Sequence, residues 1–262
     1  NAKELKQVIS ESKPHAVVHL AARTDLNGNQ ISDYSANTEG VKNLIDAMKS
    51  ITGVQRFICT SSQLVCRVGY VPESDTDYCP NTFYGESKVL TEKITRETAG
   101  KDFEWCLVRP TTVWGPGMSP HYQRFLNMVH KGRYFHIGRR PLYKSYSYVG
   151  NIVYQYQKLF EAPKEHIERK TFYLADYECL SLKDWVNGFQ REFGSAPVRT
   201  MPESIARILA FLGDMVNAAG IRSFPFNSFR LRNILTEYQF DLANTAKVCG
   251  PLPYTMEQGI KE

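Results

Sequence analysis

None of the six cysteines of the 262-residue chain, at 59, 66, 79, 106, 179 and 249, forms a C-x-x-C pair. With Cys59 and Cys106 inside apolar runs, the thiols read as reduced core residues of a cytoplasmic protein, and no metal site is expected. No apolar run approaches the roughly 18 residues that a membrane span requires. Internal repeats and low-complexity segments are also missing, and the composition has no disordered-type bias. Charge of one sign is in small excess: the net +5 is compatible with an anionic substrate but too small to argue for nucleic acid. The first residue is Asn1 rather than Met, so a preceding N-terminal piece is expected.

What is present is an alternation of helical and strand-like apolar patterns. Leu5, Val8 and Ile9 recur at helical spacing over 3–11, and Pro14 blocks continuation. His15 to Ala22 is a continuous apolar run of strand length, suited to a parallel strand covered on both faces. His19 within it reads as a packed strand histidine. A polar loop around Asn27-Gly28-Asn29 leads to a helix over 32–49 with Val41, Leu44, Ile45 and Met48 on one face. Val54 to Cys59 forms a second buried strand and runs into Thr60-Ser61-Ser62. After a loop over 66–82, a helix runs from Tyr84 to Gly100, a C′ glycine, with Val89, Leu90 and Ile94 inward. Phe103 to Val108 is a third strand and ends in Arg109-Pro110-Thr111-Thr112-Val113-Trp114-Gly115-Pro116-Gly117. This order is that of an α/β, doubly wound parallel sheet.

Beyond Gly117 the rhythm changes. Helices are predicted over 121–131 and 149–161, separated by a basic loop with Lys131, Arg133, Arg139, Arg140 and Lys144. A short strand covers Thr171 to Ala175. Ser181-Leu182-Lys183-Asp184 resembles a capping box and opens a helix that stops at Gly194. Pro202 starts a helix with Ile205, Ile208, Leu209, Leu212 and Val216. Its wide apolar stripe reads as core packing rather than as a membrane-surface or partner-binding face. Asp241, in Tyr238-Gln239-Phe240-Asp241, is a candidate cap for a short final helix.

Chemistry concentrates at Tyr84-Gly85-Glu86-Ser87-Lys88. A tyrosine and a lysine four apart on a helix share one face, about 6 Å apart at the root. Ala21-Ala22, Thr60-Ser61-Ser62 and Arg109-Pro110-Thr111 all end parallel strands, so all three border one crevice. The helix of Tyr84 follows the second strand and can lay the phenol beside Ser62. A hydroxyl, a tyrosine and a lysine together suit proton transfer to and from an alcohol. Arg109 reads equally as a site residue or as half of a fold-holding ion pair; Ser62 could also be a turn cap.

His19-Leu20-Ala21-Ala22, Asn37-Thr38-Glu39-Gly40, Thr60-Ser61-Ser62, Tyr84-x-x-x-Lys88 and Arg109-Pro110 through Gly117 stand in an order and spacing that resembles the extended short-chain dehydrogenase/reductases. Within them the chain is similar to the NAD-dependent nucleotide-sugar epimerase/dehydratase group. The resemblance runs to about residue 175 and more loosely to Tyr238-x-Phe240-Asp241. It implies a Rossmann-like domain over 1–117, returning at 146–175, and a smaller, mostly helical substrate lobe from 118–145 and 176–262. It also implies that Tyr84 is the catalytic base and acid and that Lys88 binds the nicotinamide ribose and depresses the phenol pKa. Ser62 would hold the substrate oxygen. Leu20, Ala21, Ala22, Thr24, Thr60, Pro110 and Thr111 would line the cofactor, and Thr112 would face the substrate phosphates. NAD is the implied cofactor, with NADP open, and a nucleotide-diphosphate sugar the implied substrate. A homodimer through the helices at 32–49 and 84–99 is implied too.

Departures from the family pattern narrow the expectation. Family dehydratases place Asp and Glu after the catalytic hydroxyl, where this chain has Gln63 and Leu64. An amide and an alkyl group exchange no protons at neutral pH, which disfavours elimination of water and leaves 4-epimerisation. Thr112 and Cys66 stand where many family epimerases carry Asn and Tyr, and an Arg-Pro-Gly-Asp motif is absent, so the sugar and nucleotide stay open. An NAD(P)-dependent reductase of another carbonyl and a non-catalytic dinucleotide binder are the alternatives. The family's Gly-rich phosphate loop would precede Asn1. The implied sheet order places a missing strand beside Val17–Leu20, which without it is an unpaired edge.

Overall fold

The computed structural model describes residues 1–219 and 226–262. Helix α1 (Ala2–Ser12), capped by the Asn1 side chain, leads into strand β1 (Ala16–His19). A 3-10 turn at Ile31–Tyr34 precedes α2 (Ser35–Lys49), β2 (Arg56–Thr60) and α3 (Phe83–Thr98). Next come β3 (Glu104–Pro110) and β4 (Thr112–Trp114). Then follow α4 (Pro120–His130), β5 (Phe135–Ile137), β6 (Tyr143–Lys144) and β7 (Tyr146–Tyr148). After α5 (Val149–Glu161), α6 (Lys164–Ile167) and β8 (Thr171–Leu174) come β9 (Leu180–Ser181) and α7 (Leu182–Glu192). The remainder holds β10 (Arg199–Met201), α8 (Glu203–Ala218), α9 (Ser228–Leu235), α10 (Ala243–Cys249) and α11 (Met256–Lys261).

The principal sheet is parallel throughout, in the order β1-β2-β3-β8. Successive side chains on a strand alternate between faces, which divides the core in two. Phe57, Cys59, Trp105 and Leu107 meet Val41, Leu44, Ile45 and Met48 of α2 on one side. Ile58, Cys106, Val108, Phe172 and Leu174 meet Ile152 and Leu159 of α5 on the other. Cys249 joins this second cluster, so the late helix α10 packs back on the sheet. The sequence expectation of a doubly wound α/β sheet is met. A separate aromatic cluster around Trp114, Tyr148, Trp185 and Phe189 fills the space among α4, α7 and α11.

Three expectations need correction. The first strand is shorter than the 15–22 run, and Val18 and Leu20 are exposed instead of covered on both faces; its place at the sheet edge is the one expected without a neighbouring strand. Lys144 belongs to no open basic loop: it is 4% exposed, in β6. Ile205, Ile208, Leu209 and Leu212 of α8 face solvent, whereas the sequence read them as core. Both cap expectations are met. Ser181 accepts from the Asp184 N–H, as a cap should. Asp241 accepts from Ala243 N, the first residue of α10, and so caps it from one residue before the capping position at Leu242.

Candidate active site

Helix α3 builds the centre. Thr82 caps it by accepting from Gly85 N at 3.0 Å, so the helix starts with Tyr84 in its first turn. Tyr84, Lys88 and Glu92 then recur every four residues on the buried face. At Gly85 the helix meets the turn that follows β2: a Cβ there would lie 2.3 Å from the Leu64 carbonyl oxygen. That close approach brings Tyr84 to Ser62, whose hydroxyl lies in hydrogen-bonding reach of the phenol. Ser62 also accepts from Leu64 N at 3.1 Å, so it both caps the turn and touches the phenol.

Lys88 is 2% exposed and donates to the Thr60 carbonyl at 2.9 Å. Burial lowers its pKa, with Cys59 and Glu92 opposing. The Tyr84 pKa is raised, first by burial and also by Tyr34, while Ser62 pulls it down. The Lys88 ammonium is anchored at the Thr60 carbonyl, one helical turn from Tyr84. His19, at the end of β1, is held down to about 4 by burial and by the Lys88 ammonium. Its Nδ1 is buried with no hydrogen-bond partner among the described residues.

Beneath the centre lies a buried ion pair. Arg109 Nε and Nη2 each donate to Glu92 at 2.8 Å, and both side chains are fully buried. Glu92 further accepts from the Ser61 hydroxyl at 2.6 Å and the Tyr78 hydroxyl at 3.0 Å. Arg109 reaches the Asp75 carbonyl and the Tyr173 hydroxyl. Arg109 is thus the fold-holding alternative. Glu92 was missed in the sequence, although its four-residue step beyond Lys88 was a usable signal.

The strand ends are joined unevenly. Ser61 N donates to Val108 O at 2.7 Å, tying the end of β2 to β3. The Thr60 and Thr111 hydroxyls are committed elsewhere, to Tyr156 at 2.7 Å and Ser147 at 2.7 Å. Leu20, Ala21 and Thr24 form an exposed ledge beyond β1, with Ala22 half-buried. Asn37 anchors that ledge, accepting from Arg23 N at 2.8 Å and donating to Arg23 O and to Ser87. No role had been read for Asn37. Thr112 stands apart: its hydroxyl meets Tyr238 at 3.0 Å and Gln63 at 3.4 Å. Lys144, its pKa lowered to about 8 chiefly by burial, sits 5.4 Å from the Tyr238 ring centroid.

The profile of the NAD dependent epimerase/dehydratase family matches residues 1–158. The chain belongs to that family. Among its relatives is the N-acetyl-alpha-D-glucosaminyl-diphospho-ditrans,octacis-undecaprenol 4-epimerase of Escherichia coli O157:H7, 25% identical over 251 residues, 93% of this chain and 75% of that protein. Another is a 3 beta-hydroxysteroid dehydrogenase/Delta 5-->4-isomerase of Mycobacterium tuberculosis, 30% identical over 152 residues, 53% of this chain and 41% of that one. The fold is shared with the NAD complex of UDP-glucuronic acid 4-epimerase from Bacillus cereus, at TM-score 0.72 and 16% identity, covering 98% of this chain and 74% of the other. The Lys88 ammonium fits the cofactor that this family name implies. One of its three donors has a protein acceptor among the described residues, the Thr60 carbonyl, which leaves donors for a ribose hydroxyl.

Proposed function

We propose that this family member is an NAD-dependent epimerase that acts on a sugar carried on a diphosphate. The observation that supports this most is the convergence of Ser62, Tyr84 and Lys88 at the carboxyl edge of the sheet. In this reading Ser62 holds the substrate oxygen and Tyr84 takes the proton of the sugar hydroxyl, returning it after re-reduction. The spare Lys88 donors hold the nicotinamide ribose, and the ledge of Leu20, Ala21, Ala22 and Thr24, with the backbone at Thr60, Pro110 and Thr111, borders the cofactor. NAD supplies the hydride acceptor. Moving a phenol pKa from about 10 toward 7 requires about 4 kcal/mol of phenolate stabilisation. Burial here acts against it, so the cationic groups of the loaded site must supply the difference. Thr112, with Gln63, Tyr238 and Lys144 around it, lies on the substrate side, and Lys144 offers a positive charge for a diphosphate.

The lobe over 118–145 and 176–262 would carry the sugar. Pairing of two copies through α2 and α3 belongs to the proposal, as does a cytoplasmic setting, which suits six unpaired thiols. Light scattering tests the pairing. Activity is tested with UDP- and GDP-sugars and with N-acetylglucosaminyl-diphospho-undecaprenol, following both sugar isomer and NADH. Isomer without net NADH supports the epimerase; net cofactor consumption supports a reductase. The reductase is favoured by the phenol-rich lining of Tyr122, Tyr146 and Tyr238 near Thr112 and by the hydroxysteroid dehydrogenase relative. Tyr84→Phe is expected to lower turnover by at least about a thousandfold with an unchanged melting temperature. Retained activity would refute the role.

A further inference from the structure

Helix α8 is built inside out. Its buried residues are Ala206, Ala210 and Gly213, while Ile208 is 61%, Phe211 62% and Met215 56% exposed. At about 100° per residue, the small residues form one narrow stripe and Glu203, Arg207 and Asp214 a polar flank. Ile205, Ile208, Leu209, Phe211, Leu212 and Met215 then spread over an arc of about 160° that faces solvent. The small stripe serves close packing on Leu231 of α9. None of the bulky arc joins a buried apolar cluster among the described residues. Single exposed apolar side chains are ordinary; a continuous face on the order of several hundred Å² marks a surface that is covered in use.

The surroundings indicate what covers it. The described residues 199–219 and 226–235 contain four arginines (199, 207, 230 and 232), no lysine and two acids. Between α8 and α9 lies a hollow of about 350 Å³, with Arg207 and Arg232 among its walls beside Ser228 and Thr236, and Leu231 and Leu235 also lining it. Arg207 is paired with Glu203, whereas Arg232 has no ion pair among the described residues. Guanidinium beside hydroxyls and apolar carbon matches a phosphate-ester headgroup with its acyl chain alongside. The face is convex and wide, as suits insertion into a headgroup region, where a partner groove would take a narrow stripe. No helix among the described residues is long and apolar enough to cross a membrane, so α8 would lie in the interface.

We propose that the outward face of α8, with the arginines at its α9 border, docks on an anionic lipid bilayer. The same lobe meets the Thr112 side of the site: Lys144 donates to Asn233 O of α9 at 2.7 Å, and Tyr238 meets Thr112. A bilayer seat would present a lipid-linked substrate to that side, a consequence that rests on the epimerase reading.

The test is sedimentation of the full chain with phosphatidylcholine vesicles and with vesicles holding roughly 30% phosphatidylglycerol. The protein is expected to pellet with the anionic vesicles at least tenfold more than with the neutral ones. Ile208→Asp and Phe211→Asp should each cut binding at least tenfold with an unchanged circular dichroism spectrum. Arg232→Glu should weaken it several-fold and reduce its salt dependence. Turnover of a water-soluble UDP-sugar should stay unchanged in all three, while turnover of the undecaprenol-linked sugar in vesicles falls. Wild-type protein that stays in the supernatant overturns the proposal. Aspartate variants that still pellet do so as well. A dimer that Ile208→Asp splits, without vesicle binding, assigns the face to a second copy instead. Vesicle binding without any turnover leaves the docking standing and removes only the epimerase reading.

Discussion

Glu92→Gln is the sharpest perturbation of the buried frame beneath Tyr84. The change keeps the shape but removes the charge that faces Arg109 Nε and Nη2 at 2.8 Å each, with both partners fully out of water. It also places an amide donor where the carboxylate accepted from Ser61, Tyr78 or Arg109. Breaking one side of a buried pair leaves an uncompensated charge and costs about 3–5 kcal/mol. For a chain of this size each kcal/mol is worth about 2–4 °C, so the melting temperature should fall by roughly 10 °C. Thermal melts followed by circular dichroism measure this directly. Arg109→Met should cost a similar amount. The double variant Glu92→Met/Arg109→Met should lose about 2 kcal/mol less than the two single changes added together, because neither fully buried partner is left charged without the other. A single change that costs under about 1 kcal/mol would refute the reasoning, as would additivity within about 0.5 kcal/mol. Since Ser61 adjoins Ser62, the singles should also lose turnover beyond what their stability explains.

His19 should set an acid limb on stability. Its folded pKa of about 4 lies below the unfolded value of 6.5, so the unfolded chain takes up the proton first as the pH falls. Its contribution is fully present above about pH 6.5 and is lost on descending through pH 4, up to about 3 kcal/mol in all. Urea unfolding of wild type and His19→Gln at pH 7.5 and pH 5 should show a smaller pH difference in the variant; equal differences would contradict it. Gly85→Ala places a Cβ 2.3 Å from the Leu64 carbonyl, and the backbone there must give. The variant should lose about 1–3 kcal/mol and turn over at least about a hundredfold more slowly, read from melts and initial rates. Wild-type activity in this variant would show that the Tyr84–Ser62 distance is not set at Gly85.

The sequence by itself determined the elements and the nucleus of the site. Alternating apolar runs and glycine stops read out the parallel sheet, and the four-residue step from Tyr84 to Lys88 put both on one helix face. These are local properties, fixed by backbone period. Other features depend on which surfaces meet, which no local pattern encodes. Arg109 reads from the sequence as a site residue or as half of an ion pair, and only the packing of Glu92, seventeen residues earlier, against it makes it the ion pair. Thr112, which the resemblance turns toward the substrate phosphates, has as its hydroxyl partner Tyr238, 126 residues along the chain. Lys144 sat among exposed arginines in the sequence and is buried because β6 pairs with β9 and Asn233 takes its ammonium. The stripe of α8 showed that large apolar residues share a face but not which way that face turns. Only packing decided that, because Ala206, Ala210 and Gly213 allow the closer approach to α9 and so turn the bulky residues outward.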